Sequence, residues 1–234
     1  MSESASQAGV ARRFLIGLKA AAPVMLGYLP IALSFGLVAQ DAGMALFWAS
    51  LMSAIVYAGA SQFAAVAMLR LGAPTPEIVV ATLFMNLRHV VMGLSLLPKV
   101  KGGTAARLAL STGITDETFA VASFTRDPVL KTPAGLAGLM LGAWASWFGG
   151  TILGGGLAVF LPKILTDAMG VTLYGLFIGL LVPALRSAPR GVTAAIAAMV
   201  AHVLARQILP PGWAIVAAIL AGSMIGALAG RQGK

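Results

Sequence analysis

The feature that most limits what this chain can become is a succession of long stretches that carry no charge. Residues 20–40, 42–69, 132–162, 168–185, 191–205 and 207–230 contain no Lys, Arg, Asp or Glu. Runs 78–98 and 108–125 are apolar apart from Arg88 and His89 in the first and Asp116 and Glu117 in the second. About 20 apolar residues in a helix cross the ~30 Å hydrocarbon layer of a bilayer. The runs are continuous rather than alternating, which suits helices and not barrel strands. The sequence therefore predicts an all-α, polytopic integral membrane bundle of about seven or eight transmembrane helices. Composition closes off the soluble alternatives: 10% of the residues are charged and 59% are hydrophobic, with mean hydropathy +0.93. A water-soluble enzyme of 234 residues could not cover its surface from that supply. The net charge of +9 comes one to three residues at a time between apolar runs, which marks loop anchors beside an anionic leaflet rather than a nucleic-acid surface. With no Cys, there is no thiol or disulfide chemistry.

Residues 1–19 read as an N-terminal cytoplasmic tail, loose over its first part, and residues 20–230 as a single transmembrane domain. The first run is too long and too interrupted by proline for a cleaved signal peptide. With eight spans and the N-terminus inside, the inner side collects Arg12, Arg13, Lys19, Arg70, Arg126, Lys131, Arg186, Arg190, Arg231 and Lys234. The outer side collects Lys99, Lys101, Arg107, Lys163 and Arg206. That bias favours both termini inside. The three basic residues between runs 78–98 and 108–125 fit it badly, and a re-entrant or half-spanning segment within 78–125 would relieve them.

Several spans look broken. Pro23 and Pro30 interrupt the first run, Tyr57-Ala-Gly-Ala-Ser-Gln62 interrupts a second run too long for one upright helix, and Pro162 and Pro183 end later ones. Such breaks are tolerated only against protein or a wet cavity, and in transporters they line substrate sites. Pro30 and Gly59 are the breaks of most interest. Two stripes of small residues recur every fourth position, Gly138-Gly142-Ser146-Gly150-Gly154-Ala158 and Ala214-Ala218-Gly222-Gly226-Gly230. Each lets another backbone come close, either within this chain or from a second copy or small subunit. Trp213 suits an interfacial anchor, whereas Trp144 and Trp147 lie too deep and read as packing residues.

Arg88 is the most informative residue. An Arg at the centre of a membrane helix costs roughly 2.5–3.5 kcal/mol on insertion scales, so it needs a partner, and Asp116 and Glu117 lie at the matching place in the next run. That pattern predicts a buried ion pair, which marks a pathway or staples two helices. Asn86 and His89 share a helix face; His89 is a candidate proton carrier alongside Asp116. Tyr57, Ser61 and Gln62 cluster at the break, as lining of a cavity. His202 reads as interfacial. Two distant histidines make no metal site, there is no phosphate-binding Gly-Lys loop, and no hydrolase or zinc-protease motif occurs. The chain is not read as an enzyme and calls for no cofactor.

The segments Pro30-Ile-Ala-Leu-Ser-Phe-Gly36, Tyr57-Ala-Gly-Ala-Ser-Gln-Phe63, Asn86-Leu-Arg-His89 and Thr115-Asp-Glu-Thr-Phe119 follow one another in an order that resembles the AzlC family. Phe177-Ile-Gly-Leu-Leu-Val-Pro183 and Ala221-Gly222 extend the likeness. An acidic residue belonging seven positions before Phe177 is replaced by Gly170, with Asp167 three residues early. The resemblance implies the large subunit of a bacterial branched-chain amino acid exporter in the inner membrane, with a small AzlD-type membrane subunit as partner and the proton gradient as driving force. Leucine, isoleucine, valine and methionine are then the expected cargo. Arg88, Asp116, Glu117, Asn86, Tyr57, Ser61 and Gln62 are the expected substrate-binding residues, and no nucleic acid is involved. A channel or transporter for another small hydrophobic solute, or a scaffold for a partner that holds the site, stays open beside it.

Overall fold

In a computed structural model, residues 2–157, 160 and 189–231 are described. All the regular structure among them is helical: α1 (Ser2–Ala20), α2 (Ala22–Asp41), α3 (Leu46–Ile55), α4 (Gly59–Arg70), α5 (Thr75–Leu96), α6 (Thr104–Ser111), α7 (Asp116–Phe124), α8 (Pro133–Leu157), α9 (Pro189–Ala205) and α10 (Pro211–Arg231). Three of these, α2, α5 with the 3-10 turn that follows it, and α8, are long and apolar enough to cross a membrane, among the described residues. Run 168–185, with Pro162, Pro183, Asp167 and Gly170, lies outside the described residues.

The chain divides into two compact units. The first holds Met1–Gly59 and Leu87–Leu161, the second Ala60–Asn86 and Pro162–Lys234.

The first unit is organised on α8. Its small-residue stripe receives α1 and α2 along nearly its whole length. A Cβ on Gly142 would stand 2.7 Å from Leu18 Cδ1, one on Gly150 2.6 Å from Ala32 Cβ, and one on Gly154 2.6 Å from Leu33 Cα. Between them Ser146 donates a hydrogen bond of 2.7 Å to the Met25 carbonyl. α2 reciprocates with Gly36, whose Cβ would meet the Gly155 nitrogen at 2.5 Å. In a bilayer, lipid is as apolar as leucine, so close packing and hydrogen bonds hold helices together; this seam supplies both. The stripe is thus a packing face within the chain. Pro23 lies in the first turn of α2 and starts that helix rather than kinking it, whereas Pro30 is interior. The residues expected as a loose tail are helical, and from Phe14 onward α1 packs on the start of α8.

The structure corrects the reading of 108–125 as a membrane-crossing helix. It is split into α6 and α7, of 8 and 9 residues. At 1.5 Å per residue each is roughly 12–14 Å long, too short to cross alone. Both also open at the same end of α8. The Lys101 amide donates to the Lys131 carbonyl at 3.1 Å, Gly102 abuts Pro133, and Leu96, Val100, Leu130 and Leu136 share one buried cluster with Leu110 and Met140. The chain goes in along α6, turns at 112–115 where Gly113 presses on Met140, and comes back along α7. This is a helical hairpin whose two outer ends lie on the same side of the unit. It removes the misfit of the basic residues, because Lys99, Lys101 and Arg107 lie at the same end as Arg126 and Lys131.

The second unit contains α4, α9, α10 and the first half of α5. The second small-residue stripe packs α10 on α9, with a Gly222 Cβ 2.9 Å from Ala198 Cβ and a Gly226 Cβ 3.1 Å from Ala194 Cβ. Trp213, at the start of α10, is 46% exposed. Glu77, in the first turn of α5, is buried and accepts a hydrogen bond of 3.2 Å from the Gly212 amide. It thereby satisfies one of the free amides at the start of α10.

Candidate functional site

The site forms in the first unit where two helix breaks come together. The first break follows α3. Tyr57 takes φ +45°, the one non-glycine residue with positive φ among the described residues. A non-glycine side chain there costs of the order of 1–3 kcal/mol and persists only where the surroundings enforce it. They do so through Trp147. Its ring lies on Gly59, where a Cβ would stand 2.6 Å from Cη2, so any larger residue there must displace the indole. The Ala54 carbonyl, left without an amide by the end of α3, accepts a 3.0 Å hydrogen bond from Trp144 Nε1.

The second break is the tip of the hairpin. Thr115 caps α7: its hydroxyl accepts from the Thr118 amide at 3.3 Å, and the Thr115 amide donates to Thr118 Oγ1 at 2.8 Å. This reciprocal cap fixes where the helix begins and puts Asp116 and Glu117 in its first turn, where the positive end of the helix dipole favours acidic side chains.

The two acids have different partners. Asp116 Oδ2 lies 2.7 Å from Arg88 Nη1. The expected pairing exists, but with side chains 40% and 46% exposed it is an accessible ion pair, not a buried one. The two residues sit at the rim, where a bound molecule can reach them. Glu117 does not meet Arg88. It takes the hydroxyl of Tyr28 at 2.5 Å, and the same hydroxyl lies 2.7 Å from Thr115 Oγ1. Tyr28 in turn has its ring edge-on to Tyr57, centroids 6.4 Å apart, and to Trp147, 5.3 Å apart. Tyr57 is 4% exposed, and its hydroxyl lies near those of Tyr28 and Thr115 and within electrostatic reach of Glu117, without a well-formed hydrogen bond among the described residues.

Of the residues expected from sequence, the structure joins Arg88 to Asp116 and sets Tyr57 beside Glu117. Ser61, Gln62 and Asn86 belong to the second unit, Ser61 and Gln62 fully buried in α4. His89 is half-buried on α5. Sequence reasoning missed Tyr28 and Thr115. A tyrosine inside an otherwise apolar span, and a Thr-x-x-Thr cap ahead of two acids, were the available signals.

An open apolar groove of about 400 Å³ touches both breaks. Ala54 and Ile55 at the end of α3 and Thr112 and Gly113 at the hairpin tip line it, with Leu110, Met140 and Trp144. Small-molecule pockets are typically ~300–1,000 Å³.

Apolar helices long enough to cross a membrane, with an exposed ion pair beside two helix breaks, define a helical membrane protein. The profile described as AzlC protein matches residues 23–161, and the chain belongs to the AzlC family. It is 33% identical over 228 residues to the inner membrane protein YgaZ of Escherichia coli (strain K12), covering 92% of this chain and 88% of that one. It is 31% identical over 214 residues to an uncharacterized membrane protein of Archaeoglobus fulgidus, covering 91% and 93%. To the branched-chain amino acid transport protein AzlC of Bacillus subtilis (strain 168) it is 28% identical over 159 residues, 67% of this chain and 61% of that one. No solved structure matches it.

Proposed function

We propose that this chain is the large subunit of a secondary transporter that exports branched-chain amino acids, and methionine, across the bacterial inner membrane. The proton gradient drives it, and a small AzlD-type membrane subunit assists it. The observation that carries the reading is the accessible Arg88–Asp116 pair at the tip of the hairpin. An amino acid zwitterion needs a cation for its carboxylate and an anion for its ammonium, and this pair offers both. Unloaded, the two side chains neutralise each other. Loaded, Arg88 holds the carboxylate and Asp116 the ammonium, and the apolar groove that reaches the hairpin tip at Thr112 and Gly113 is the candidate place for the aliphatic side chain. The name of the Bacillus subtilis relative, a branched-chain amino acid transport protein, supports this cargo class.

The orientation follows from charge. Arg12, Arg13, Lys19, Lys99, Lys101, Arg107, Arg126 and Lys131 gather at the end of the first unit where α8 begins, and the loop at 42–45 carries no basic residue. Basic loops stay in the cytoplasm, so this end faces inward and the hairpin enters from the cytoplasmic side.

The test is efflux of labelled leucine, isoleucine, valine and methionine from cells expressing the chain, with and without the small subunit. Selective efflux that needs the partner and stops with a proton uncoupler supports the reading. Arg88→Ala abolishes efflux while the protein stays in the membrane at its normal level. Absence of any such efflux, with the protein in the membrane, rejects the cargo; disappearance of the Arg88→Ala protein makes the pair a staple.

A further inference from the structure

We propose that Glu117 carries the coupling proton of the transport cycle, in the place expected of Asp116 or His89, with the hydroxyl of Tyr28 as its switching partner. This rests on the transport reading given above and assigns the coupling step within it.

The argument is the unequal surroundings of two adjacent acids. Protonating Asp116 breaks its 2.7 Å contact with Arg88, whose guanidinium keeps its proton under all conditions. Protonating Glu117 breaks no ion pair, because among the described residues no cation lies beside it. Its partner is the Tyr28 hydroxyl. A hydroxyl is both donor and acceptor: it donates to the carboxylate, and after protonation it can turn and accept from the carboxylic acid. The contact therefore survives in both states, and is the stronger with the charged carboxylate. Tyr57 packs against Tyr28, its ring edge-on with centroids 6.4 Å apart and its backbone at φ +45°, so the switching hydroxyl sits in a buried, closely packed place. The groups facing Glu117 are Tyr28 from α2, Tyr57 from the end of α3 and, on its own helix, Asp116 with the Arg88 that α5 sets against it. α8 contributes the untitratable Trp147 at Tyr28.

The step balances simply. A proton from the periplasmic side joins the Glu117 carboxylate, the Tyr28 hydrogen bond reverses, and the proton leaves to the cytoplasm as the carboxylate re-forms. No ion pair is broken on the way. Substrate and proton thus occupy neighbouring residues of the same helix turn, Asp116 and Glu117.

The experiment uses inverted membrane vesicles from cells expressing the chain together with the small subunit, with labelled leucine as the probe. Two fluxes are read: uptake driven by an acidic lumen, and counterflow into vesicles preloaded with unlabelled leucine. Glu117→Gln is expected to lose about 100-fold or more of the driven uptake while counterflow stays near the wild-type rate. Driven uptake by Glu117→Gln at the wild-type rate overturns the assignment. Should this variant lose both fluxes, Tyr28→Phe decides. It removes one hydrogen bond to the carboxylate and should move the pH midpoint of flux toward alkaline by about one unit; an unmoved midpoint overturns the proposal. Wild-type vesicles without leucine flux in either mode sink the transport reading itself, whereas wild-type flux with a fully driven Glu117→Gln sinks this assignment alone.

Discussion

Gly154 gives the sharpest test of how the first unit is held together. A methyl group added there stands 2.6 Å from Leu33 Cα and closer still to the Leu33 carbonyl oxygen. The obstacle is backbone, so no rotamer change relieves it, and α2 and α8 must part by about 1 Å. Overpacking of this kind costs ~1–3 kcal/mol. At roughly 2–4 °C per kcal/mol for a chain of this size, the expected loss in Tm is about 2–12 °C. The same helix supplies the control. A Cβ on Gly149 meets nothing within 4 Å, and replacing glycine by alanine in a helix gains up to ~1 kcal/mol of propensity. Gly149→Ala should therefore hold or raise Tm while Gly154→Ala lowers it. The assay is thermal unfolding by tryptophan fluorescence in nanodiscs, with particle mass followed in parallel. If both variants melt alike, the seam is not what holds α2 to α8. If Gly154→Ala changes the mass without changing Tm, the stripe serves contacts between copies and the intrachain reading fails.

Three further outcomes are expected. Trp144→Phe keeps most of the ring but strands the Ala54 carbonyl, and should cost about 1–3 kcal/mol, read as a lower Tm; an unchanged Tm means another donor serves that carbonyl. Thr115→Val removes the cap of α7 and should cost ~0.5–2 kcal/mol, with the Arg88-dependent flux falling more than stability alone accounts for; a parallel fall in both means the cap does not position the acids. Arg88→Lys keeps a charge at the rim but loses the planar fork, and should raise the KM for leucine more than it lowers the maximal rate; an equal effect on both rejects Arg88 as the carboxylate partner.

What the sequence made readable follows from the physics of each signal. The break at Tyr57–Gln62 was visible because a 28-residue apolar run exceeds one helix and glycine interrupts it. The Arg88–Asp116 pairing was visible because two opposite charges in neighbouring apolar runs need each other. The hairpin was not: 18 apolar residues are the length of a short span, and only contacts such as Lys101 with Lys131 show that both ends share a side. The fate of the Gly138–Gly154 stripe was equally hidden, since spacing says that a backbone approaches but not whose. Tyr28 escaped notice because its partners lie 87 and 89 residues away and its own run carries no charge to draw attention to it.

The left-handed backbone at Tyr57 has a consequence for anyone who handles the protein. Glycine at that position would relieve the strain, but it would also empty a site filled by a ring that is 4% exposed and edge-on to Tyr28. Truncating a buried aromatic costs about 3–5 kcal/mol, more than the roughly 1–3 kcal/mol of strain returned, so Tyr57→Gly should melt below wild type. A screen that ranks variants by heat resistance or yield therefore keeps the strained tyrosine, and selection for robustness does not by itself erode this part of the site.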